Sequence, residues 1–310
     1  MMKLQEINNI SSDRVQSLVR SIDTVLFDID GVLMHDGVII PGSDDAVVKF
    51  RQLGKKIGFV TNNAVYTEGH LLNNLTPFGA TEDEIINPNL SLLEYLKKID
   101  LEGDIYAIAS QACKDHLRRA GYNIIEYKDI QSSDLEENMG AIADLKQTSL
   151  ERCKNVRLIY LDTDLNVCQG ALEVAKTLLN HVDGVDLLTG MCDDQAPIGN
   201  NFRMICARYY IDAMEKWTCR TALRVGKPSS TLADFVRSKY DISDGGRVLM
   251  VGDNVETDIA FGVLAGYKTC LALSGICTKE KVDKWTLAEE LKPDFVMNKL
   301  GDLYSIIKDM

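Results

Sequence analysis

The 310-residue sequence lacks the patterns typical of disulfide-rich, metal–sulfur and membrane-spanning proteins. Its eight cysteines include no CxxC pair, and its four histidines form no HExxH or other ligand pattern. We therefore expect reduced, mostly buried thiols. No apolar run approaches the roughly 20 residues of a membrane span. The first residues, which include Glu6 and Asp13, lack the apolar region of a signal peptide. The sequence predicts a cytoplasmic protein with no membrane partner.

Positive charge is also scarce. The chain has 46 acidic and 34 basic residues, a net charge of −12 and a pI near 4.9. This balance argues against a general nucleic-acid or anionic-membrane binder. An anionic substrate would need a local positive site, built from a metal, a lysine or backbone N–H groups. The length and the 45% hydrophobic content predict a globular protein, with two domains rather than one.

The most informative segment is residues 25–32, which read Val-Leu-Phe-Asp-Ile-Asp-Gly-Val. An apolar strand pattern runs into Asp28 and Asp30, and Gly31 follows. Because side chains alternate along a strand, the two aspartates can share one side of its tip. Carboxylates this close repel each other, and Mg²⁺ prefers oxygen ligands of this kind. Taken alone, the segment also fits an ordinary acidic turn after a strand.

Strand and helix patterns alternate along the chain, which predicts an α/β fold with a doubly wound, mostly parallel sheet. The first series ends with a helix at 90–99, and the pattern restarts near Gly103. Near Thr221 the chain resumes the pattern of the first series, in which strands end in polar motifs. We therefore expect a core built from residues 1–101 and 221–310, with an α/β unit inserted at 102–220. The elements predicted for the inserted unit are strands at 104–109, 122–126, 156–161 and 185–188, and helices at 113–120, 170–180 and 204–217.

Four predicted core strands end in residues suited to chemistry. They are Asp28-x-Asp30, Thr61-Asn62-Asn63, Gly226-Lys227-Pro228 and Gly252-Asp253-x4-Asp258. Each motif alone is a common turn or strand exit. Ligands of open α/β sheets bind at the carboxyl ends of the strands. The joint occurrence of all four motifs at this edge therefore indicates one site rather than four turns.

This set of motifs resembles the haloacid dehalogenase superfamily of Mg²⁺-dependent phosphatases. More narrowly, it is similar to the branch that contains 4-nitrophenylphosphatases, phosphoglycolate phosphatase and pyridoxal phosphate phosphatase. The resemblance implies a Rossmann-like core with a cap domain inserted between the second and third motifs. It implies a phosphomonoesterase for a small phosphorylated metabolite, with Mg²⁺ as cofactor. It also leaves open a homodimer formed through the cap.

The resemblance also implies a role for each motif residue. Asp28 would be the nucleophile that forms an aspartyl-phosphate, and Asp30 would be the general acid and base. The metal would be held by Asp28, the Asp30 carbonyl and Asp253, with support from Asn254 and Asp258. The residues expected to bind the substrate phosphate are Thr61, Asn62, Asn63 and Lys227.

The inserted unit matches the branch only in outline. Relatives carry a substrate loop resembling Thr-Asn-x-Asp, whereas residues 190–194 read Gly-Met-Cys-Asp-Asp. Asp194 would match the loop acid and contact the substrate, but Met191 and Cys192 replace small polar residues. A pocket that cannot pair a polar group discriminates against it. We therefore expect weak activity on phosphoglycolate and better relative activity on bulkier or more apolar esters.

Two functions of different classes remain at this stage. The leading one is the phosphomonoesterase. The alternative is a phosphometabolite-binding or regulatory protein that kept the fold while its divergent cap lost productive geometry. Asp30 argues against a dehalogenase, because a halide leaving group needs no acid. It also argues against a transport ATPase, whose aspartyl-phosphate must persist. The intact acids favour the enzyme, and a turnover assay with and without Mg²⁺ separates the two.

Overall fold

Two parallel sheets organise the chain in a computed structural model that describes residues 5–35, 37–190, 193–197 and 202–310. The strands are β1 (Gln5–Glu6), β2 (Thr24–Phe27), β3 (Met34–His35), β4 (Val38–Ile39), β5 (Lys56–Val60), β6 (Ile85–Ile86), β7 (Asp104–Ile108), β8 (Ile124–Ile125), β9 (Val156–Leu161), β10 (Asp186–Thr189), β11 (Gln195–Pro197), β12 (Arg203–Ile205), β13 (Leu223–Arg224), β14 (Val248–Gly252), β15 (Lys268–Ala272) and β16 (Phe295–Met297). The α-helices are α1 (Ser12–Ser21), α2 (Ser43–Gln52), α3 (Glu68–Leu75), α4 (Pro88–Lys98), α5 (Gln111–Arg119), α6 (Tyr127–Ile130), α7 (Met139–Arg152), α8 (Gln169–His181), α9 (Arg208–Thr218), α10 (Ser230–Tyr240), α11 (Ala260–Ala265), α12 (Lys279–Asp283) and α13 (Leu300–Ile307).

The larger sheet has seven strands in the order β1-β16-β15-β14-β2-β5-β6, and every neighbouring pair is parallel. Its interior strand β2 is buried along its whole length, because helices cover both faces. Successive side chains point to opposite faces. Phe27 packs with Phe50 of α2 at a ring-centroid distance of 5.9 Å, whereas Leu26 joins Met250 and Phe261 on the other face. The sheet is therefore doubly wound, as the sequence predicts.

The smaller sheet has five parallel strands in the order β13-β10-β9-β7-β8. It lies between β6 and β14 in the chain, within the region predicted as an insertion. Its edge strand β13 contains Leu223 and Arg224 and so extends beyond the predicted end of the insertion at residue 220. The predicted α/β class and mostly parallel arrangement are confirmed.

Local predictions differ from the structure at three places. The predicted helix at 204–217 begins only at Arg208, because residues 203–205 form β12, which pairs antiparallel with β11. Helix α7 was not predicted; its buried residues are only Leu145 and Ser149, so its apolar pattern is weak. Helix α4 was assigned to the first core portion, but Leu92 and Leu96 pack against the five-stranded sheet. Periodicity identifies a buried face and does not identify its partner.

In the described ranges, no helix is both long enough and apolar enough to cross a bilayer.

Candidate active site

Adjacent strand ends bring the first, second and fourth motifs together. Strand β2 lies between β5 and β14, with Phe27 opposite both Phe59 and Val251. Asp28 directly follows β2, and its N–H donates to Val251 O at 2.9 Å. Thr61 follows β5, and Asp253 follows β14. The parallel register therefore places these three residues at one edge of the sheet, as ligand sites in this type of fold require.

Lys227 reaches the same edge from the smaller sheet, three residues beyond Arg224 of β13. Its side chain is 2% exposed. Its Nζ donates hydrogen bonds to Asp28 Oδ1 at 2.5 Å, Asp258 Oδ1 at 2.6 Å and Val60 O at 2.8 Å. Burial alone would lower the pKa of Lys227, but the Asp258 and Asp28 carboxylates outweigh it and raise that pKa. Lys227 is therefore a permanent cation in this site.

One lysine cannot neutralise the acids around it. Carboxylate oxygens of Asp28, Asp253 and Asp258 lie within 4.8 Å of one another, and all three residues are buried. Burial, and then the Asp258 carboxylate, raise the pKa of Asp253 to about 8. Burial is also the main cause that raises the pKa of Asp28 well above its usual value, despite Lys227. Without a further cation, the cluster retains a proton to unusually high pH.

These residues fit a magnesium ion. Three buried carboxylates around a single ammonium leave excess negative charge, and every donor atom is a hard oxygen. Asp258 is the member least free to bind a metal directly. Its Oδ1 accepts from Lys227, and its Oδ2 accepts from the N–H groups of Asp253 and Asn254 at 3.1 and 3.0 Å. Asp258 therefore holds the Asp253–Asn254 backbone in place.

Two glycines let the chain pass close to Asp253. Gly31 has a φ of +85°, and a Cβ atom at Gly31 or Gly275 would overlap the Asp253 carboxylate. The N–H of Ile276 donates to Asp253 Oδ2 at 2.7 Å. The contribution of Gly275 and Ile276 was missed at the sequence level. The signal that could have revealed it is Ser274-Gly275, which follows the predicted strand at 268–273 just as Gly31 follows the first acidic pair.

The second motif mainly organises the polypeptide around Lys227. Asn62 Oδ1 accepts from the N–H of Lys227 at 2.7 Å, and Asn62 Nδ2 donates to Lys227 O at 3.0 Å. Thr61 Oγ1 accepts from the N–H of Asn63 at 3.0 Å, and Asn63 Oδ1 accepts from the N–H of Val65 at 3.0 Å. Asn62 and Asn63 therefore use their side chains to build the turn. The N–H groups of Thr61 and Asn63 are already hydrogen-bonded, to Ile86 O and Thr61 Oγ1, so the Asn62 N–H is the one that the turn offers to an anion among the described residues.

The residue of the inserted unit that contacts this cluster is Asp193. Asn62 Nδ2 donates to Asp193 Oδ2 at 2.9 Å, and burial raises the pKa of Asp193. Asp194, the predicted contact, has a side chain 74% exposed that lies 3.6 Å from Arg208 Nε. Two adjacent acids are chemically alike, so only the tertiary contact separates them. Met191 and Cys192, which carry the predicted substrate preference, lie outside the described residues.

A small chamber of about 90 Å³ opens among these residues. It is lined by Asp28, Asp30, Thr61, Asn62, Asn63, Asp193, Gln195, Ala196, Lys227, Asp253, Asn254, Thr257, Asp258 and Ile276. Every predicted core site residue is therefore at its wall. Asp30 is exposed, whereas Asp28 is buried, so the two aspartates of the first motif meet different environments. Such a pair can divide the roles of nucleophile and proton carrier.

Comparison with known families agrees with this arrangement. Residues 25–123 match a family described as haloacid dehalogenase-like hydrolase, and residues 224–303 match one described as HAD-hydrolase-like. The chain belongs to the haloacid dehalogenase superfamily. The two matches flank residues 124–223 and together include all four motifs. The resemblance inferred from the motifs is confirmed.

Curated relatives of this superfamily align over nearly the whole chain. Phosphoglycolate phosphatase 2 of Arabidopsis thaliana is 28% identical over 306 residues, which cover 96% of this chain and 98% of the relative. Glycerol-3-phosphate phosphatase of Homo sapiens is 28% identical, with 95% and 94% covered. Among solved structures, 4-nitrophenylphosphatase of Thermotoga maritima has a TM-score of 0.75 at 23% identity, with 93% and 98% covered. The last likeness concerns the fold alone.

Proposed function

We propose that this chain is a Mg²⁺-dependent phosphomonoesterase that hydrolyses a small phosphorylated metabolite through an aspartyl-phosphate on Asp28. The observation that carries the proposal is the Asp28 carboxylate at the end of the interior strand β2, 2.5 Å from the buried Lys227 ammonium. A chamber of about 90 Å³ faces it, which is room for a phosphate group rather than a whole metabolite. The phosphatase names of the relatives support the same reaction class.

In the first step, an Asp28 carboxylate oxygen attacks phosphorus while the bond from phosphorus to the leaving oxygen breaks. Phosphoryl transfer depends mainly on positioning and on charge neutralisation. Lys227 and the N–H group of Asn62 would supply positive potential around the phosphate. Asp30, at the mouth of the chamber, would give its proton to the departing oxygen.

In the second step, water releases the phosphate. Asp30, now a carboxylate, would take a proton from a water molecule as the water oxygen attacks phosphorus. The bond between phosphorus and the Asp28 oxygen breaks, so inorganic phosphate leaves and the free carboxylate returns. Mg²⁺, held by Asp28, Asp253 and the Asp30 carbonyl, would neutralise charge on the phosphate and the carboxylates. Asn254 and Asp258 would keep this ligand set in place.

The inserted unit completes the proposal. We assign the unit predicted at residues 102–220, extended to Arg224 because β13 belongs to its sheet, as a cap over the core built on the seven-stranded sheet. The hydrogen bond from Asn62 to Asp193 supports this assignment, because it joins a core motif to the loop after β10. A cytoplasmic location and a homodimer formed through the cap stay predictions.

The test is a turnover assay with 4-nitrophenyl phosphate, followed by a panel of small phosphorylated metabolites. We expect Mg²⁺-dependent release of phosphate, with phosphoglycolate a poor member of the panel. Phosphometabolite binding without any turnover would favour the regulatory alternative instead. Phosphoglycolate as the best substrate would contradict the preference inferred from Met191 and Cys192.

A further inference from the structure

A second cavity, of about 770 Å³, adjoins the phosphate-sized chamber. The two share five wall residues: Asp193, Gln195, Asn254, Thr257 and Ile276. A phosphate ester bound in the small chamber therefore extends its leaving group into the larger one. Pockets of roughly 300–1,000 Å³ hold ligands of drug size. A leaving group as small as glycolate would leave most of this space to water.

The wall of the larger cavity is rich in basic side chains. They are Arg203, Arg208, Arg224, Lys281 and Lys284. Two of them have acidic neighbours. Arg208 Nε lies 3.6 Å from both Asp194 and Asp212, and Lys284 donates to Glu280 at 2.8 Å.

The other three basic side chains have no charge partner in the part of the chain that the structure describes. Within the described ranges, the charged groups of Arg203, Arg224 and Lys281 form no hydrogen bond or ion pair with another residue. They are therefore free to bind an anionic ligand. Arg224 is half-buried and lies three residues before Lys227, on the strand that leads into the catalytic cluster. Residues 224–227 therefore supply one cation to each cavity, Arg224 to the larger one and Lys227 to the small chamber.

Another part of the wall is apolar. It includes Val255, Cys277, Trp285, Leu287 and Leu291. The indole Nε1 of Trp285 donates to Ala288 O at 3.3 Å, which helps to fix the ring. A cavity lined by both an aromatic ring and guanidinium groups suits a planar body that carries negative charge.

We propose that the substrate is a phosphate monoester with a bulky, planar or apolar leaving group that bears a second anionic group. Arg224, together with Arg203 and Lys281, binds that second anion, and Trp285 contacts the apolar body. This inference rests on the proposed function, since it assigns the hydrolysed phosphate to the chamber at Asp28. The second anion is a carboxylate or a phosphate, because both are planar or multidentate acceptors for arginine.

The test compares 2-naphthyl phosphate, 6-carboxy-2-naphthyl phosphate and naphthalene-2,6-diyl bisphosphate. Wild-type enzyme should prefer at least one of the two charged esters over 2-naphthyl phosphate by about tenfold or more in kcat/KM, mainly through KM. The better of the two identifies the anion. Arg224→Gln should reduce that preference by about tenfold. The control Lys154→Gln removes one exposed positive charge of the inserted unit outside the cavity and should leave all three values unchanged.

A binding measurement separates this inference from the proposed function. Calorimetry would compare 2-naphthylmethylphosphonate with its 6-carboxy and 6-phosphono derivatives, which cannot be hydrolysed. The second anion site is supported if a charged derivative binds more tightly than the uncharged one and Arg224→Gln removes that difference. This holds even if no ester is hydrolysed. The lack of hydrolysis would refute only the proposed phosphatase activity. Equal affinities of the three phosphonates, or equal loss for all of them in Arg224→Gln, would overturn the inference.

Discussion

Lys227 Nζ lies 2.6 Å from Asp258 Oδ1, and neither side chain is more than 2% exposed. An ammonium group has three N–H donors. Lys227 directs one at each of Asp258, Asp28 and the Val60 carbonyl. A phosphate in the adjoining chamber must therefore share one of these donors. The lysine balances buried carboxylates and, in the proposed reaction, would also offer a point charge to the substrate phosphate.

Replacing this lysine tests its structural role. Lys227→Met leaves Asp28, Asp253 and Asp258 buried without their cation. Removal of one partner of a buried ion pair costs roughly 3–5 kcal/mol, so we expect a loss of that order in the free energy of unfolding in EDTA. Added Mg²⁺ should recover part of it, and turnover should fall by about a hundredfold or more. Urea unfolding with and without Mg²⁺ measures the effect.

The matched control for that substitution is Lys239→Met. Lys239 pairs with Asp83 at 2.7 Å, but Asp83 is 91% exposed. A solvent-exposed pair contributes less than about 1 kcal/mol, and Mg²⁺ should not alter the result. If Lys227→Met proved as stable as wild type in EDTA, the ion-pair argument would fail.

Asp28→Asn tests the nucleophile. The amide cannot form the aspartyl-phosphate, so turnover of 4-nitrophenyl phosphate should disappear. The change also removes repulsion with Asp253 and Asp258, so metal-free stability should hold or rise. Asp183→Asn, on the exposed loop before β10, should keep full activity. Substantial Mg²⁺-dependent hydrolysis by purified Asp28→Asn would refute the assignment.

Metal exchange tests the geometry of the acidic cluster. EDTA should silence the enzyme and Mg²⁺ should restore it, whereas Ca²⁺ should restore little activity or inhibit. Ca²⁺ takes about 6–8 oxygen ligands and accepts bidentate carboxylates, while Mg²⁺ requires near-octahedral geometry. If Ca²⁺ bound both carboxylate oxygens of Asp28, neither oxygen would be placed to attack phosphorus in line with the leaving oxygen. The measurement is the initial rate of hydrolysis with Mg²⁺ and with Ca²⁺. Full activity with Ca²⁺ alone would count against this geometry.

A pH prediction concerns Glu126 of the inserted unit. Burial alone would raise its pKa, but hydrogen bonds from Arg118, Lys114 and Lys128 outweigh burial and hold the pKa of Glu126 at about 2. Because the folded-state pKa lies below the ordinary glutamate value of 4.5, this carboxylate stabilises the fold above about pH 4.5. The contribution disappears as the pH falls towards 2.

Glu126→Gln should therefore destabilise the protein by about 2 kcal/mol at pH 7, allowing for solvent screening. The difference from wild type should shrink steadily below about pH 4.5. Urea unfolding at pH 7 and pH 3 gives both values. Glu94→Gln, which breaks the exposed pair with Lys97, is the control and should change stability little at either pH. A Glu126→Gln effect that stayed constant with pH would rule out the ion-pair explanation.

Much of the site could be predicted because its signals are local. Asp28 and Asp253 each follow a strand of the larger sheet, and parallel strands bring their carboxyl ends to one edge. Lys227 follows β13 of the smaller sheet, so its motif is visible in the sequence but the sheet that carries it is not. Local patterns also predicted the doubly wound sheet, since buried parallel strands such as β2 are continuously apolar. The exposed setting of Asp30 and the buried setting of Asp28 could not be read from the motif, because burial depends on distant segments.

The remaining features depend on contacts between distant segments. Nothing in the adjacent acids Asp193 and Asp194 shows which one meets Asn62. Strand β12 is three residues long and depends on pairing with β11, so its pattern is too short to separate from the start of α9. The three cations of the larger cavity that lack a charge partner among the described residues are Arg203 of β12, Arg224 of β13 and Lys281 of α12. No single sequence window contains all three elements.

The order of strands in the larger sheet has a consequence for synthesis of the protein. Strand β2 needs two partners, and Thr24 pairs with Lys56 on one side and with Val248 on the other. Domains tend to form as the chain leaves the ribosome, N-terminal parts first. The apolar strand β2, which precedes Asp28, therefore has one unpaired edge until Val248–Gly252 leaves the ribosome. All strands of the five-stranded sheet leave the ribosome before that point. An open apolar edge is a template for pairing between molecules, so nascent chains that stall before Val248 should be prone to aggregate.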